Sequence, residues 1–235
     1  MEYEAAVQAA PPGWRHFNVS DLDRLSPSVR AHELARIPEE DRRRCEAGDP
    51  AAAERVLRAM FWTLVYHLEP RRWDALAEVE PISDALLAAL PMAGRAVDVG
   101  AGSGRLTRHL ASRCERVVAV DPSPDLLRIL RGRLPQVHPI AAWADALPLA
   151  DGWSGLTTAC GALGPEPAIL RELERVTARG GVIALINPED GAWFERHGWE
   201  RMRAEPAPPA PHERAIDEFF GPPAPPSELL LHRVG

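Results

Sequence analysis

From residue 95 onward the sequence predicts a doubly wound α/β fold built on a mostly parallel sheet, preceded by a helical segment at 26–90. Three observations predict it. Short apolar runs alternate with stretches of helical period. One of those runs, Arg95-Ala-Val-Asp-Val99, passes directly into Gly100-Ala-Gly-Ser-Gly104. Upstream of it the apolar residues recur at helical rather than alternating spacing.

The elements follow in order. Residues 1–25 are polar, carry Pro11-Pro12-Gly13, and are expected to form an irregular arm. Asp49-Pro50 is a helix start, an N-cap carboxylate followed by proline at the first helical position. Behind it Leu57, Met60, Phe61, Leu64 and Leu68 share one face of a helix that Pro70 is expected to stop. Residues 73–80 and 83–90 read as further short helices. Strands are expected at Arg95–Val99, 116–120, 137–141, 156–160 and 181–186, with helices at 105–113, 125–133 and 168–177 between them. The tail adds strand candidates at 199–204 and 228–234. The Pro-rich connector 206–226 separates them, interrupted by Ile216-Asp-Glu-Phe-Phe220. The expected organisation is an arm and helical cap at 1–90 and a sheet-based core at 91–235.

Composition excludes several function classes. The net charge of −7 is wrong for non-specific nucleic-acid binding, which rests on phosphate neutralisation. All 27 basic residues are arginine, so neither a Walker-type phosphate loop nor a pyridoxal Schiff base has its lysine. The three cysteines, Cys45, Cys114 and Cys160, have no metal-ligand spacing, and the eight histidines form no HxxxH pair. The acidic N-terminus without an apolar core to it, the scattered thiols and the short apolar stretch at 59–68 lead to the expectation of a cytoplasmic protein without membrane spans.

A strand that ends in glycines and opens a helix is a nucleotide-type binding turn, because glycine permits the tight turn and close approach of a ligand to the backbone. The dinucleotide fingerprint GxGxxG does not fit. Counted from Gly100 its third glycine falls on Arg105, and counted from Gly102 it falls on Thr107. The observed pattern places Asp98 two residues before the first of three alternating glycines.

Four segments in this order resemble the class I S-adenosylmethionine-dependent methyltransferases, of the methyltransferase-11-like, small-molecule type. They are Val97-Asp-Val-Gly-Ala-Gly-Ser-Gly-Arg-Leu-Thr107, Val118-Ala-Val-Asp-Pro-Ser-Pro-Asp-Leu-Leu127, Ala144-Asp-Ala-Leu-Pro-Leu-Ala-Asp151 and Arg171-Glu-Leu-Glu-Arg-Val-Thr-Ala-Arg-Gly-Gly-Val182. The resemblance covers about residues 90–190. It implies a Rossmann-like, seven-stranded, mostly parallel sheet with a reversed last strand and S-adenosylmethionine as cofactor. It further implies that Gly100, Ala101, Gly102, Ser103 and Gly104 lie against the methionyl part, and that Asp98 helps hold its amino group. Asp121, followed by Pro122, would accept from the ribose hydroxyls. Asp145 and Ala146 would flank the adenine, Leu126 or Leu147 would pack on its face, and Pro122 and Cys160 would also contact the cofactor. Two structural alternatives stand beside these roles: Asp121 as a cap of the following helix, and Asp145 as a plain turn residue. The sequence departs from the family at Gly155, where an acid usually opens strand four. Thr158-Ala-Cys-Gly-Ala162 also lacks the Asn-Pro-Pro-Tyr of enzymes that methylate DNA bases.

The function expected is methyl transfer to a small-molecule acceptor by in-line displacement. The alternatives are a non-catalytic S-adenosylmethionine-binding or scaffolding protein and a nicotinamide-dependent oxidoreductase. The base is not evident. Candidates are His67, Glu189 and Asp190, whereas His138 starts strand three at the end away from the site. Trp62, Tyr66 and Trp73 are compatible with an apolar acceptor pocket or with plain helix core. Phe219-Phe220 is compatible with closing that pocket or packing under a strand. No nucleic-acid, membrane or metal partner is expected, and the state is monomer or homodimer.

Overall fold

The computed structural model describes residues 12–235. The chain divides into two compact units, residues 12–76 with 211–223, and residues 77–210 with 224–235. Of the expected irregular arm, residues 1–11 lie outside the described residues. Residues 12–25 depart from the expectation. Pro12–His16 and Val19–Arg24 are 3-10 turns, the second closed by a capping box between Asn18 and Asp21. The reason is apolar: Trp14, Phe17, Leu22 and Leu25 are buried, and the turns place them inward.

The first unit continues with α1 (Pro27–Ala35), α2 (Glu39–Glu46), α3 (Pro50–Ala59) and α4 (Phe61–Leu68), and α5 (Pro70–Val79) carries the chain into the second. Asp49 caps α3 as expected: its Oδ1 accepts from the backbone N–H of Ala51 at 2.9 Å and of Ala52 at 3.2 Å. The single helix expected up to Pro70 is instead two, separated at Met60, whose ψ of −1° interrupts the helical path. Pro70 also does more than stop α4. It is the first residue of α5, where its missing N–H costs nothing.

The second unit is built on seven strands: β1 (Arg95–Val99), β2 (Arg116–Asp121), β3 (His138–Ala141), β4 (Ser154–Cys160), β5 (Thr177–Ile186), β6 (Glu200–Arg203) and β7 (Glu228–Arg233). Their order is β3-β2-β1-β4-β5-β7-β6. β1 to β5 are parallel, and β7 is inserted antiparallel between β5 and β6. The sheet changes winding direction between β1 and β4, and ligands of such sheets bind outside the strand ends at that point. β5 starts earlier than the expected 181. Thr177 pairs with Ser154, then the register skips to Val182 opposite Leu156, and Gly180 takes φ +77° in the intervening bulge.

The helices are α6 (Asp84–Ala89), α7 (Thr107–Ala111), α8 (Pro124–Arg133), α9 (Pro167–Val176) and α10 (Gly191–Arg196). Period-two alternation sorts the strand residues onto two faces. Ala96, Val117 and Ala184 pack with Leu86 of α6, Leu110 of α7 and Leu130 of α8. Val97, Val118 and Ile183 pack on the other face with Ile169, Leu173 and Val176 of α9. Because α6 belongs to the first of these clusters, the division expected at 90/91 falls inside the second unit. Gly155 sits where the β4–β5 register shifts, and a Cβ there would lie 3.3 Å from that of Ala93, a tight approach for any side chain.

The Pro-rich connector forms α11 (Arg214–Phe220), which groups with the first unit. Phe219 and Phe220 pack among the rings of that unit. Phe219 packs 5.8 Å from Phe61 and 6.0 Å from Phe17, and Phe220 stacks on Trp62 at 6.0 Å, all measured between ring centroids. Arg72 lies over the Phe219 ring at 4.4 Å.

Candidate functional site

The site candidate is built where β1 and β2 end. Gly100, Gly102 and Gly104 all take left-handed backbone angles, φ +69°, +55° and +102°. A Cβ on Gly100 would stand 2.5 Å from that of Ala162, so the turn is both conformationally and sterically reserved for glycine. The loop is tied to the end of β2. Val120 O accepts from the N–H of Gly100 at 2.8 Å and of Ala101 at 3.0 Å. Gly102 N–H donates to Asp121 Oδ2 at 2.9 Å.

Asp121 is buried at 6% exposure, and its Oδ1 accepts from Ser123 N–H at 2.8 Å. Burial pushes its carboxyl up to about 6 against the pull of these two donors. The cap of α8 is Ser123, whose Oγ accepts from Leu126 N–H, so the helix does not need Asp121 as its cap. Each Asp121 oxygen retains a second lone pair for another donor.

Asp98 is 1% exposed. Thr107 Oγ1 donates to its Oδ2 at 2.6 Å, and Thr158 Oγ1 reaches its Oδ1 at 3.2 Å and Val97 O at 3.1 Å. Burial raises its carboxyl to about 7, with Asp121 adding to the rise and the two threonines opposing it. Thr107 and Thr158 are therefore partners of a candidate site residue that sequence reasoning passed over. Thr107 carried a local signal, a hydroxyl nine positions beyond a buried acid, but Thr158 lies on another strand and carried none.

Arg105, the residue that breaks the dinucleotide fingerprint, is also anchored. Its Nη1 pairs with Glu80 Oε2 at 2.8 Å, with both side chains largely buried. Its Nη2 donates to Cys160 Sγ at 3.6 Å. The Cys160 thiol is pushed up, chiefly by burial. Glu80 Oε1 accepts in turn from Ala224 N–H at 3.3 Å. A further unforeseen residue is Asn187 after β5. It takes φ +46°, and its Oδ1 accepts from Ser227 and Glu228 N–H, which positions the start of β7.

The other expected residues are distributed as follows. Ala101, Ser103, Leu126 and Leu147 are buried, and Pro122 is partly so. Asp145 and Ala146 are exposed on the turn after β3. Leu147 belongs to the core cluster around Val97 and Val99, and its backbone is clamped by Glu172 and Arg175 of α9 at 2.8 Å each. Asp190 caps α10 through Trp193 N–H at 2.9 Å, while Glu189 is exposed. His138 is exposed at the start of β3.

Trp62, Tyr66, Trp73 and His67 belong to the first unit. The three large rings pack together, with centroids 5.9 Å apart for Trp62–Tyr66, 5.5 Å for Trp62–Trp73 and 5.0 Å for Tyr66–Trp73. Trp62 keeps 41% exposure, and His67 is half-buried on the same helix. Among the described residues no cluster of three or more His, Cys, Asp or Glu side chains could hold a metal ion, and no helix is long and apolar enough to cross a membrane.

Residues 96–181 match the family described as "Methyltransferase domain". An uncharacterized methyltransferase of Mycobacterium tuberculosis (strain ATCC 25618 / H37Rv) is 40% identical over 121 residues, 49% of this chain and 48% of that protein. A trans-aconitate 2-methyltransferase of Azoarcus sp. (strain BH72) is 34% identical over 131 residues, 52% of this chain and 50% of that protein. The chain thus spans about half the length of the curated relatives it matches. A solved SAM-dependent methyltransferase from Aquifex aeolicus shares the fold at 16% identity with a TM-score of 0.52, covering 72% of this chain and 98% of that one.

Proposed function

We propose that this chain transfers a methyl group to a small, diffusible acceptor; its second unit is the core of a class I S-adenosylmethionine-dependent methyltransferase. The observation that carries the reading is the coupling of three left-handed glycines to the acid that ends β2, through the Gly102 N–H to Asp121 bond. Such a turn presents backbone close to a ligand, and Asp121 has unfilled acceptor capacity for a diol beside it. Both features suit the donor's methionyl and ribose parts. The relative named for trans-aconitate supports a small acceptor.

When bound, S-adenosylmethionine supplies a methyl group already activated by its sulfonium. The task left to the chain is positional. The glycine loop with Asp121 holds the donor, with Asp145 and Ala146 at its adenine end. Alignment for in-line attack and exclusion of water then supply the rate enhancement. An acceptor that must lose a proton needs a base. Asp190 is engaged as a helix cap, which leaves Glu189 as the candidate in the second unit.

Calorimetric titration of the full chain with S-adenosylmethionine, S-adenosylhomocysteine and NAD tests the reading. The first two are expected to bind and NAD is not. Binding of NAD alone overturns it. Incubation with a panel of small organic acids, read as S-adenosylhomocysteine formation, tests turnover.

A further inference from the structure

The turn after β3 is held in place by a different element. It leaves the sheet beside the acid that ends β2: Ala141 pairs with Asp121, and Ala142 N–H donates to Asp121 O at 3.3 Å. Further along, Leu147 is buried, and α9 grips its backbone on both sides. Glu172 Oε2 accepts from Leu147 N–H at 2.8 Å, and Arg175 Nη2 donates to Leu147 O at 2.8 Å. The rest of the Arg175 fork is committed to the same place. Nε and Nη2 meet the two oxygens of Glu172 at 2.7 Å each, and Nη1 meets Leu149 O at 2.7 Å and Asp151 Oδ1 at 2.8 Å. Every N–H of the guanidinium therefore has an acceptor. The Arg175 carbonyl in turn accepts from Gly152 N–H at 2.8 Å. The helix itself is seated by Ile169, Leu173 and Val176 in the apolar cluster, so it does not depend on this fork for its place. Between the two anchors Asp145 and Ala146 stand exposed, and Ala146 N–H donates to Trp143 O at 3.2 Å. A turn fixed at both ends loses little further freedom when a ligand docks, and it presents its groups at set positions.

We propose that Glu172 and Arg175 are positioning residues for the donor's base: by gripping both backbone groups of Leu147 they hold the Asp145-Ala146 turn in the geometry that distinguishes adenine from a 6-oxopurine. The inference rests on the reading of this turn as the adenine end of the S-adenosylmethionine site. Both side chains act through the Leu147 backbone and not on the base itself. The exocyclic amine of adenine is a donor, which suits the Asp145 carboxylate. A 6-oxopurine presents an acceptor at that position, and two facing acceptors leave each other unpaired. The discrimination depends on where Asp145 stands, and a turn free to shift accommodates either base. Lysine cannot replace Arg175, because an ammonium lacks the planar fork that reaches Glu172 and two backbone carbonyls at once.

The test is calorimetry on the full chain with S-adenosylhomocysteine and its 6-oxo analogue, S-inosylhomocysteine. Wild type is expected to prefer the adenine compound about 30-fold, as one charge-assisted hydrogen bond allows. In Arg175→Lys, and in the milder Glu172→Gln, the preference is expected to fall to about threefold as the turn gains freedom. Thermal unfolding run alongside identifies the folded variants, and Glu172→Gln carries the test if Arg175→Lys does not fold. A purely structural role would lower stability or weaken both ligands alike, so a wild-type preference retained in a folded variant overturns the inference. Failure of wild type to bind either compound overturns the reading of the site instead. Equal binding of the two by wild type removes Asp145 as the reader of the base, and the inference with it.

Discussion

The two units organise their interiors by different physics. In the second unit, the site is held by directional bonds. Loop N–H groups meet Val120 O and Asp121, hydroxyls meet Asp98, and left-handed glycines make the turn possible. In the first unit, the rings of Phe17, Phe61, Trp62, Tyr66, Trp73 and Phe219 cluster, packed edge-to-face, stacked or tilted, beside buried aliphatics such as Leu64 and Val65. Directional bonding tolerates few residue types at each position and so suits an unchanging ligand. Ring packing tolerates many substitutions of similar volume.

That contrast can be broken by experiment. Its largest consequence is at Asp121→Ala, which removes the acceptor of two buried N–H groups and the group proposed to hold the ribose. We expect S-adenosylmethionine affinity to fall about 100-fold, on the order of 2.8 kcal/mol. Calorimetry showing unchanged affinity would refute the assignment. Next comes Gly100→Ala, where a left-handed angle and a 2.5 Å approach to Ala162 combine. A loss of about 1–3 kcal/mol in denaturant unfolding is expected, and a loss below that range would mean that the turn relaxes freely.

A smaller, graded effect concerns pH. Asp98 and Asp121 hold their protons to about 7 and about 6 in the folded state, above the ordinary value near 3.9 of an unfolded chain. The native state therefore binds more protons between about pH 4 and 7. The contribution of these groups to stability is greatest at the acid end and declines as pH rises, by at most about 1.4 kcal/mol per pH unit for each proton. Thermal unfolding of wild type and Asp98→Asn across this range checks it, the variant giving the shallower dependence.

The smallest effect is expected in the first unit. Trp62→Ala, at a ring 41% exposed, should alter stability by about 1 kcal/mol or less and leave S-adenosylmethionine affinity within about twofold. A large loss of donor affinity in this variant would break the contrast.

Legibility in the sequence follows the same line. The strand-to-glycine turn at 95–104, the acid ending β2 and the Asp49-Pro50 cap were readable because a local backbone requirement admits few residues. The turns at 12–25, the break at Met60, Pro70 as the opening of α5 and the place of Phe219 were not, because each depends on apolar neighbours distant in sequence. The bond from Thr158 to Asp98 spans 60 positions, and the Arg105–Glu80 pair spans 25. Nothing in either local segment names its partner.

By itself, then, the sequence determined the doubly wound sheet, the glycine loop and the acids at the ends of β1 and β2, since alternation, left-handed angles and capping are short-range constraints written in residue type. Only the tertiary structure decided that β7 inserts between β5 and β6, that α11 joins the aromatic unit, and that Arg105 is matched by Glu80 while Asp98 and Asp121 keep neutral partners. Those outcomes depend on which side chains share a buried volume, and burial sets the strength of a charge's interactions only once the chain has folded around it.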